Sequence, residues 1–183
     1  MQTITEFETD RLVIRQFSEA DAPKVFEMLS DEEIARNAGA PWPYEMKHAT
    51  GWISMHDDLF KKGETLPYAI EVKDTEELIG CVSLNNMYTP NGPGDLGFWL
   101  GRNYWGNGYA TEAAKCMIEI GFQTLGLNKV YTFCLSGNVG SEHVLKKCGL
   151  IREGVLRQQM PRGGKFIDMI YYGILREEWS QTI

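Results

Sequence analysis

The sequence predicts one α/β (α+β) domain over residues 1–183, with a mixed central sheet of about seven strands and about four helices. Three observations predict it. Apolar runs rich in Val, Ile, Tyr and Phe are interleaved with stretches whose apolar residues recur at the helical period. The best of those helical stretches is long enough to cross over between two parallel strands. The length, with 43% apolar and 23% charged residues, suits a single domain with a sizeable buried core.

The first strand is expected over residues 11–17. Ser18, with Asp21 three residues on, reads as a capping-box start. Val25, Phe26, Met28 and Leu29 give the helix that follows an apolar face as far as about Ser30 or Ile34. Residues 39–44 must be loop, because Pro41 and Pro43 fix φ and remove donors. A second helix is expected from about Tyr44–His48 to Lys62, with Gly63 at its end. Strands over residues 66–72 and 78–87 form a hairpin around the polar turn 73–77. After the turn-rich segment 89–94 comes a strand over residues 95–101. Ala110, Ala113, Ala114, Met117, Ile118, Phe122 and Leu125 then mark a long helix. A strand over residues 129–135, a helix opened by Asn138 and closed at Gly149, and strands over 150–160 and 166–175 complete the order.

The chain has 25 acidic and 18 basic residues, a net charge of −7. Nucleic-acid binders carry a basic excess, so no nucleic-acid partner is expected. An acidic surface favours cationic substrates such as amines. No stretch approaches the roughly 20 apolar residues of a membrane span, and no membrane partner is expected. Residues 1–6 show no basic region followed by an apolar one, so the reading is cytoplasmic. Cys81, Cys116, Cys134 and Cys148 form no CxxC pair and read as buried free thiols. His48, His56 and His143 form no HExxH or His/Cys cluster, so no metal is expected. His48 and His56 read as two solvated side chains rather than a ligand pair.

The chemistry is concentrated in residues 101–113, between a strand and the long helix. Gly106 and Gly108 let backbone N–H groups turn inward without Cβ obstruction, and the helix behind them points its positive dipole end at the same place. Together they make an anion site suited to a pyrophosphate. A plain strand-to-helix turn is the alternative on the glycines alone. A Rossmann site needs its glycines in an early first βα unit, and a Walker loop needs Gly-Lys-Ser/Thr; neither pattern is present.

The run Asn103-Tyr104-Trp105-Gly106-Asn107-Gly108-Tyr109-Ala110-Thr111-Glu112-Ala113 resembles the acyl-CoA loop of the GCN5-related N-acetyltransferases, Gln/Arg-x-x-Gly-x-Gly/Ala, with Asn103 in the Gln/Arg slot. The run from Asn138 to Leu150 resembles the same family's Asn-x-x-Ser-x-x-Val-Leu-Glu-Lys-x-Gly-Phe segment. Asp95-Leu96-Gly97-Phe98-Trp99-Leu100 and the opening from Glu8 to Arg15 are similar to the branch that acetylates N-terminal Ala or Ser of ribosomal proteins.

The resemblance implies acetyl-CoA as co-substrate and direct transfer to an amine in a ternary complex. It implies pyrophosphate contacts from the backbone of Tyr104, Trp105, Gly106, Asn107, Gly108, Tyr109 and Ala110, with Thr111 adding a hydroxyl. Trp99 and Leu100 would run beside the pantetheine arm, where a backbone N–H polarises the thioester carbonyl; packing is the other role open to Trp99. Asn138 would bond the pantetheine amides, or cap its helix, or both. Ser141 would meet the CoA sulfur and protonate the thiolate. Lys147 would reach a CoA phosphate, with Lys146 as its competitor. Asp95 matches the family's Glu as general base, one methylene shorter. Trp42 and Tyr44 would line the acceptor groove, or pack beneath their loop. An α-amine, with pKa near ~8, suits such a site better than a lysine or polyamine amine near ~10. The resemblance to the ribosomal-protein branch, together with this chemistry, implies a protein N-terminus as the acceptor. A small-molecule amine is the enzyme alternative, and a non-catalytic acyl-CoA-binding module the alternative of another class. A homodimer is left open.

Overall fold

Eight strands pair into one sheet in the computed structural model, which describes residues 6–180. In chain order they are β1 (Glu6–Glu8), β2 (Leu12–Gln16), β3 (Leu66–Val72), β4 (Glu77–Asn85), β5 (Pro93–Leu100), β6 (Lys129–Leu135), β7 (Ile151–Arg162) and β8 (Lys165–Leu175). Their spatial order is β1-β2-β3-β4-β5-β6-β8-β7, and every neighbouring pair is antiparallel except β5 with β6. The helices are α1 (Ala22–Leu29), α2 (Glu32–Asn37), α3 (Met46–Ser54), α4 (His56–Lys62), α5 (Tyr109–Gln123), α6 (Val139–Lys147) and α7 (Arg176–Ser180). Residues 1–5, on which most of the signal-peptide reading rests, lie outside the described residues.

The α/β class and the mixed sheet are as expected, and the differences have local causes. The first expected helix breaks in two at Asp31, whose carboxylate accepts from the N–H groups of Glu33 and Ile34 at 3.0 and 3.3 Å and starts α2 afresh. Its opening turn, Glu19–Asp21, is a 3-10 turn, with the Ser18 N–H donating to the Asp21 carboxylate at 2.7 Å. The second expected helix divides at Met55 into α3 and α4. The short strand β1 is an addition, held by pairing Phe7 with Ile14.

Adjacent residues of a strand face opposite sides of the sheet, and β5 shows it. Leu96, Phe98 and Leu100 pack with Ala113, Met117, Ile118 and Leu145 from α5 and α6. Trp99 packs with Val25, Ala49, Ile53 and Ala69 on the other side, under α1 and α3. The four cysteines are free thiols; three are buried and Cys116 is half-buried.

His56 corrects the reading of solvated histidines. It is 3% exposed, with its ring against Phe17 and Trp52, and neither ring nitrogen has a hydrogen-bond partner among the described residues. Burial pushes its imidazole down to about 4. His48 is engaged too: its Nδ1 accepts from the Glu45 N–H at 3.0 Å and closes the start of α3.

One irregularity of the sheet positions the site. The parallel pair β5–β6 is matched only at Pro93–Lys129, Gly94–Val130 and Asp95–Tyr131. Beyond Asp95, β5 pairs with β4 alone, as far as Leu100 opposite Gly80. Beyond Tyr131, β6 pairs with β8 alone, as far as Leu135 opposite Met169. The two central strands therefore splay apart toward their carboxyl ends, where α5 and α6 begin.

Candidate active site

The splay leaves backbone donors free. The Gly101 N–H donates to the Ile79 carbonyl at 2.9 Å, so alternate residues, Trp99 and Gly97, turn their amides toward β4. Those of Phe98 and Leu100 turn the opposite way, into the opening between β5 and β6.

A second set of donors stands at the mouth of that opening. Gly106 and Gly108 hold φ of +78° and +82°, left-handed values that a side chain resists. The Tyr104 and Trp105 N–H groups are consumed in the 3-10 turn Arg102–Tyr104, donating to Gly101 and Arg102. The first helical bond of α5 runs from Glu112 to Gly108. Between these points the N–H groups of Gly106, Asn107, Gly108, Tyr109, Ala110 and Thr111 have no partner among the described residues. They form an anion cradle at the positive end of a 15-residue helix.

Side chains lock the cradle from outside. Arg11 pairs with Glu112 at 2.7 Å, donates to the Asn107 carbonyl at 3.0 Å and lies 4.7 Å from the Tyr109 ring centre. The hydroxyl of Thr9 and the N–H of Arg11 donate to the same carboxylate at 2.6 and 2.8 Å. The Trp105 indole donates to the Leu100 carbonyl at 2.9 Å, folding the loop over the end of β5. Arg102 stacks on Trp105 and pairs with Asp31 and Glu33, tying the loop to α2. The Tyr104 hydroxyl donates to Glu77, so this side chain is an anchor of the loop. Asn103 is exposed in the 3-10 turn.

At the other wall, Asn138 caps α6: its side-chain oxygen accepts from the Ser141 N–H at 3.1 Å. Ser141 is half-buried, and its hydroxyl has no partner among the described residues. Lys146 is paired with Glu142 at 2.8 Å, whereas Lys147 is exposed and has no ion pair among the described residues. Cys148 meets the Thr111 carbonyl at 3.6 Å, so the last turn of α6 lies beside the first turn of α5.

Asp95 occupies the splay point, opposite Tyr131. Burial pushes its carboxyl up to about 6, and a hydrogen bond from Asn86 at 3.2 Å acts the other way. Trp42 is 43% exposed on its loop, next to a cis bond to Pro43, while Tyr44 is buried beneath the loop beside His48.

A family model described as an acetyltransferase (GNAT) domain matches residues 11–151. The chain belongs to the GNAT acetyltransferases. The uncharacterized N-acetyltransferase p20 of Bacillus licheniformis is 31% identical over 94% of this chain and 97% of its own length. Among solved structures, the ribosomal-protein-S5-alanine acetyltransferase of Vibrio fischeri shares the fold, with a TM-score of 0.77 and 21% identity, over 96% of this chain and 99% of its own. The microcin C7 self-immunity acetyltransferase MccE, solved with acetyl-CoA and AMP, has a TM-score of 0.79 at 22% identity, over 91% and 93% of the two chains.

This GNAT chain carries several residues that sequence reasoning passed over. Arg11, Thr9 and Glu112 lock the cradle, and Asn86 touches Asp95. The Arg11–Glu112 separation of 101 residues gives one sequence no local signal for the pair.

Proposed function

We propose that the protein transfers acetyl from acetyl-CoA to the α-amine of a protein N-terminus, by direct attack in a ternary complex. The observation that carries this reading is the splay of β5 from β6, with the Phe98 and Leu100 amides, unpartnered among the described residues, inside it and the Gly106–Thr111 cradle at its mouth.

The cradle takes the CoA pyrophosphate, with Lys147 available to a further phosphate. Asn138 presents its side-chain amide to the pantetheine arm, which lies along Trp99 and Leu100. The Phe98 or Leu100 N–H receives the thioester oxygen as negative charge develops on it. The acceptor nitrogen attacks the thioester carbon and the carbon–sulfur bond breaks. The proton shed by the amine passes to Asp95, through water. The Ser141 hydroxyl donates a hydrogen bond to the departing sulfur and passes it a proton taken up in turn from solvent water, so that the serine ends as it began. Holding both reactants in one opening removes most of the entropic cost of bringing them together.

Proton transfer favours an α-amine as the acceptor. With Asp95 titrating near 6, the site holds a carboxylate base near neutrality. An α-amine, with pKa near ~8, gives up its proton to it far more readily than a lysine amine near ~10. Trp42 contacts the acceptor at the entrance, and Tyr44 supports that loop from below. Free thiols favour a reducing cytoplasm. No helix among the described residues is long and apolar enough to cross a membrane.

The test is incubation of the pure protein with acetyl-CoA and an amine panel, read by mass spectrometry. The panel holds Ala- and Ser-starting peptides, spermidine, an aminoglycoside and free amino acids. Preferred acetylation of the peptide α-amines supports the reading. A single favoured small amine replaces it with the small-molecule branch. Saturable acetyl-CoA binding with no product from any amine points to a binding module.

A further inference from the structure

We propose that Asn86 is a positioning residue, whose side-chain amide holds the Asp95 carboxylate in the orientation in which it takes the acceptor's proton. The proposal rests on the reading of Asp95 as the base.

Asn86 directly follows β4, in the turn toward β5. Its φ is +56°, in the left-handed region that favours glycine and that asparagine enters more readily than most other residues. From there its Nδ2 donates to Asp95 Oδ2 at 3.2 Å, the one hydrogen bond to that carboxylate among the described residues. Its other end is held as well: the Tyr88 hydroxyl donates to Asn86 Oδ1 at 3.0 Å. A donor at the oxygen fixes the flip of the amide, so the NH2 end must face Asp95. The backbone beneath is fixed by Asn85, whose Nδ2 donates to the Asp95 carbonyl at 3.2 Å and to Ser83 Oγ at 2.9 Å.

Among the described residues, few groups face Asp95. Tyr131 stands opposite it on β6, and its hydroxyl lies against the same Asn86 amide. Tyr88 comes from the turn, and Tyr171 lies behind Tyr131 on β8. None of these three side chains is a cation, and Asn86 is the side chain that acts on Asp95 against its burial. A hydrogen bond to the charged form opposes the burial that favours the neutral form. Asn86 thus acts on both the direction of the carboxylate and the pH at which it is available.

The decisive variant is Asn86→Gly, which keeps the left-handed backbone and deletes the amide. Two readouts follow. The Asp95 carboxyl is titrated directly by carbon NMR, and kcat/KM for an Ala-starting peptide is measured against pH. The titration midpoint and the acid limb are expected to rise together by about half to one pH unit, with kcat down roughly three- to tenfold at pH 7. KM for acetyl-CoA is expected to stay unchanged. Tyr88→Phe, which frees the amide to flip, is expected to move both readouts the same way by less. In an Asp95→Asn background, Asn86→Gly is expected to add nothing. A midpoint and rate unchanged in Asn86→Gly, while Asp95→Asn abolishes transfer, overturns the positioning role and leaves the base standing. Full transfer by Asp95→Asn overturns the base and this proposal with it.

Discussion

Arg11 and Glu112, 101 residues apart in the chain, are joined by charge-assisted bonds at 2.7 Å, with the Arg11 N–H on the other carboxylate oxygen at 2.8 Å. The turn before β2 is thereby fastened to the first turn of α5. Glu112 is on the helix whose free N–H groups form the cradle, and Arg11 also holds the Asn107 carbonyl. The pair orders the peptide groups on which the proposed anion site depends.

Arg11→Ala is therefore expected to weaken acetyl-CoA binding about three- to tenfold while leaving the fold intact. The size is modest because the Arg11 side chain is about half exposed and water screens its charge. Isothermal calorimetry with acetyl-CoA checks it. An unchanged Kd would mean that the loop is ordered without the pair.

Asp95→Asn is expected to lower kcat/KM by about 10²-fold or more. In the unaltered enzyme the acid limb should lie near the Asp95 value of about 6. Stability should move the opposite way. Folding raises this carboxyl above its ordinary 3.8, so the neutral form is favoured in the fold. Its contribution is fully present below about 3.8 and is lost as pH rises through about 6. The asparagine variant should thus melt a few degrees higher at pH 8 and no higher at pH 4, as measured by thermal denaturation.

Ser141→Ala separates binding from chemistry. The Ser141 N–H, which seats Asn138, is kept, so Kd for acetyl-CoA should hold within about twofold. Loss of the hydroxyl at the leaving thiolate should lower kcat about tenfold or more. Stopped-flow or steady-state rates beside a binding isotherm decide it. A raised Kd with kcat unchanged would assign Ser141 to binding alone.

His56 predicts a pH dependence of stability. Its imidazole is held at about 4 by burial, below the ordinary 6.5, so the unfolded chain takes up a proton first. Stability is present above about 6.5 and is lost as pH falls toward 4. His56→Phe removes two unpartnered buried nitrogens and should raise Tm, more at pH 5 than at pH 8. An equal shift at both pH values would show that the imidazole is not held neutral.

How far the sequence carried this account is clearest at individual residues. The long α5 and the Gly106 and Gly108 turn were legible because local periodicity and φ preference specify them. The cap at Asn138 and the αL glycine at Gly149, φ +83°, were legible for the same reason. The break between α1 and α2 is marked locally only by Asp31 before two glutamates, an N-cap signal that the continuing apolar pattern through Ile34 masks. His56 misled because an apolar helix face is built by its tertiary neighbours, Phe17 and Trp52, and polar residue type said the opposite. Arg11 on Glu112 and Asn86 on Asp95 depend on pairing across strands and turns, which residue spacing does not encode. The narrower cradle, starting at Gly106 rather than Tyr104, depends on where a 3-10 turn spends its amides.

The most direct measurement is amide-resolved NMR of the protein with and without acetyl-CoA, following hydrogen exchange. New protection is expected at Phe98 or Leu100 and at the amides from Gly106 to Thr111, with little change at Tyr104 and Trp105, whose N–H groups are already bonded. Protection that spares the β5–β6 opening and the cradle, and appears elsewhere on the sheet, would contradict it.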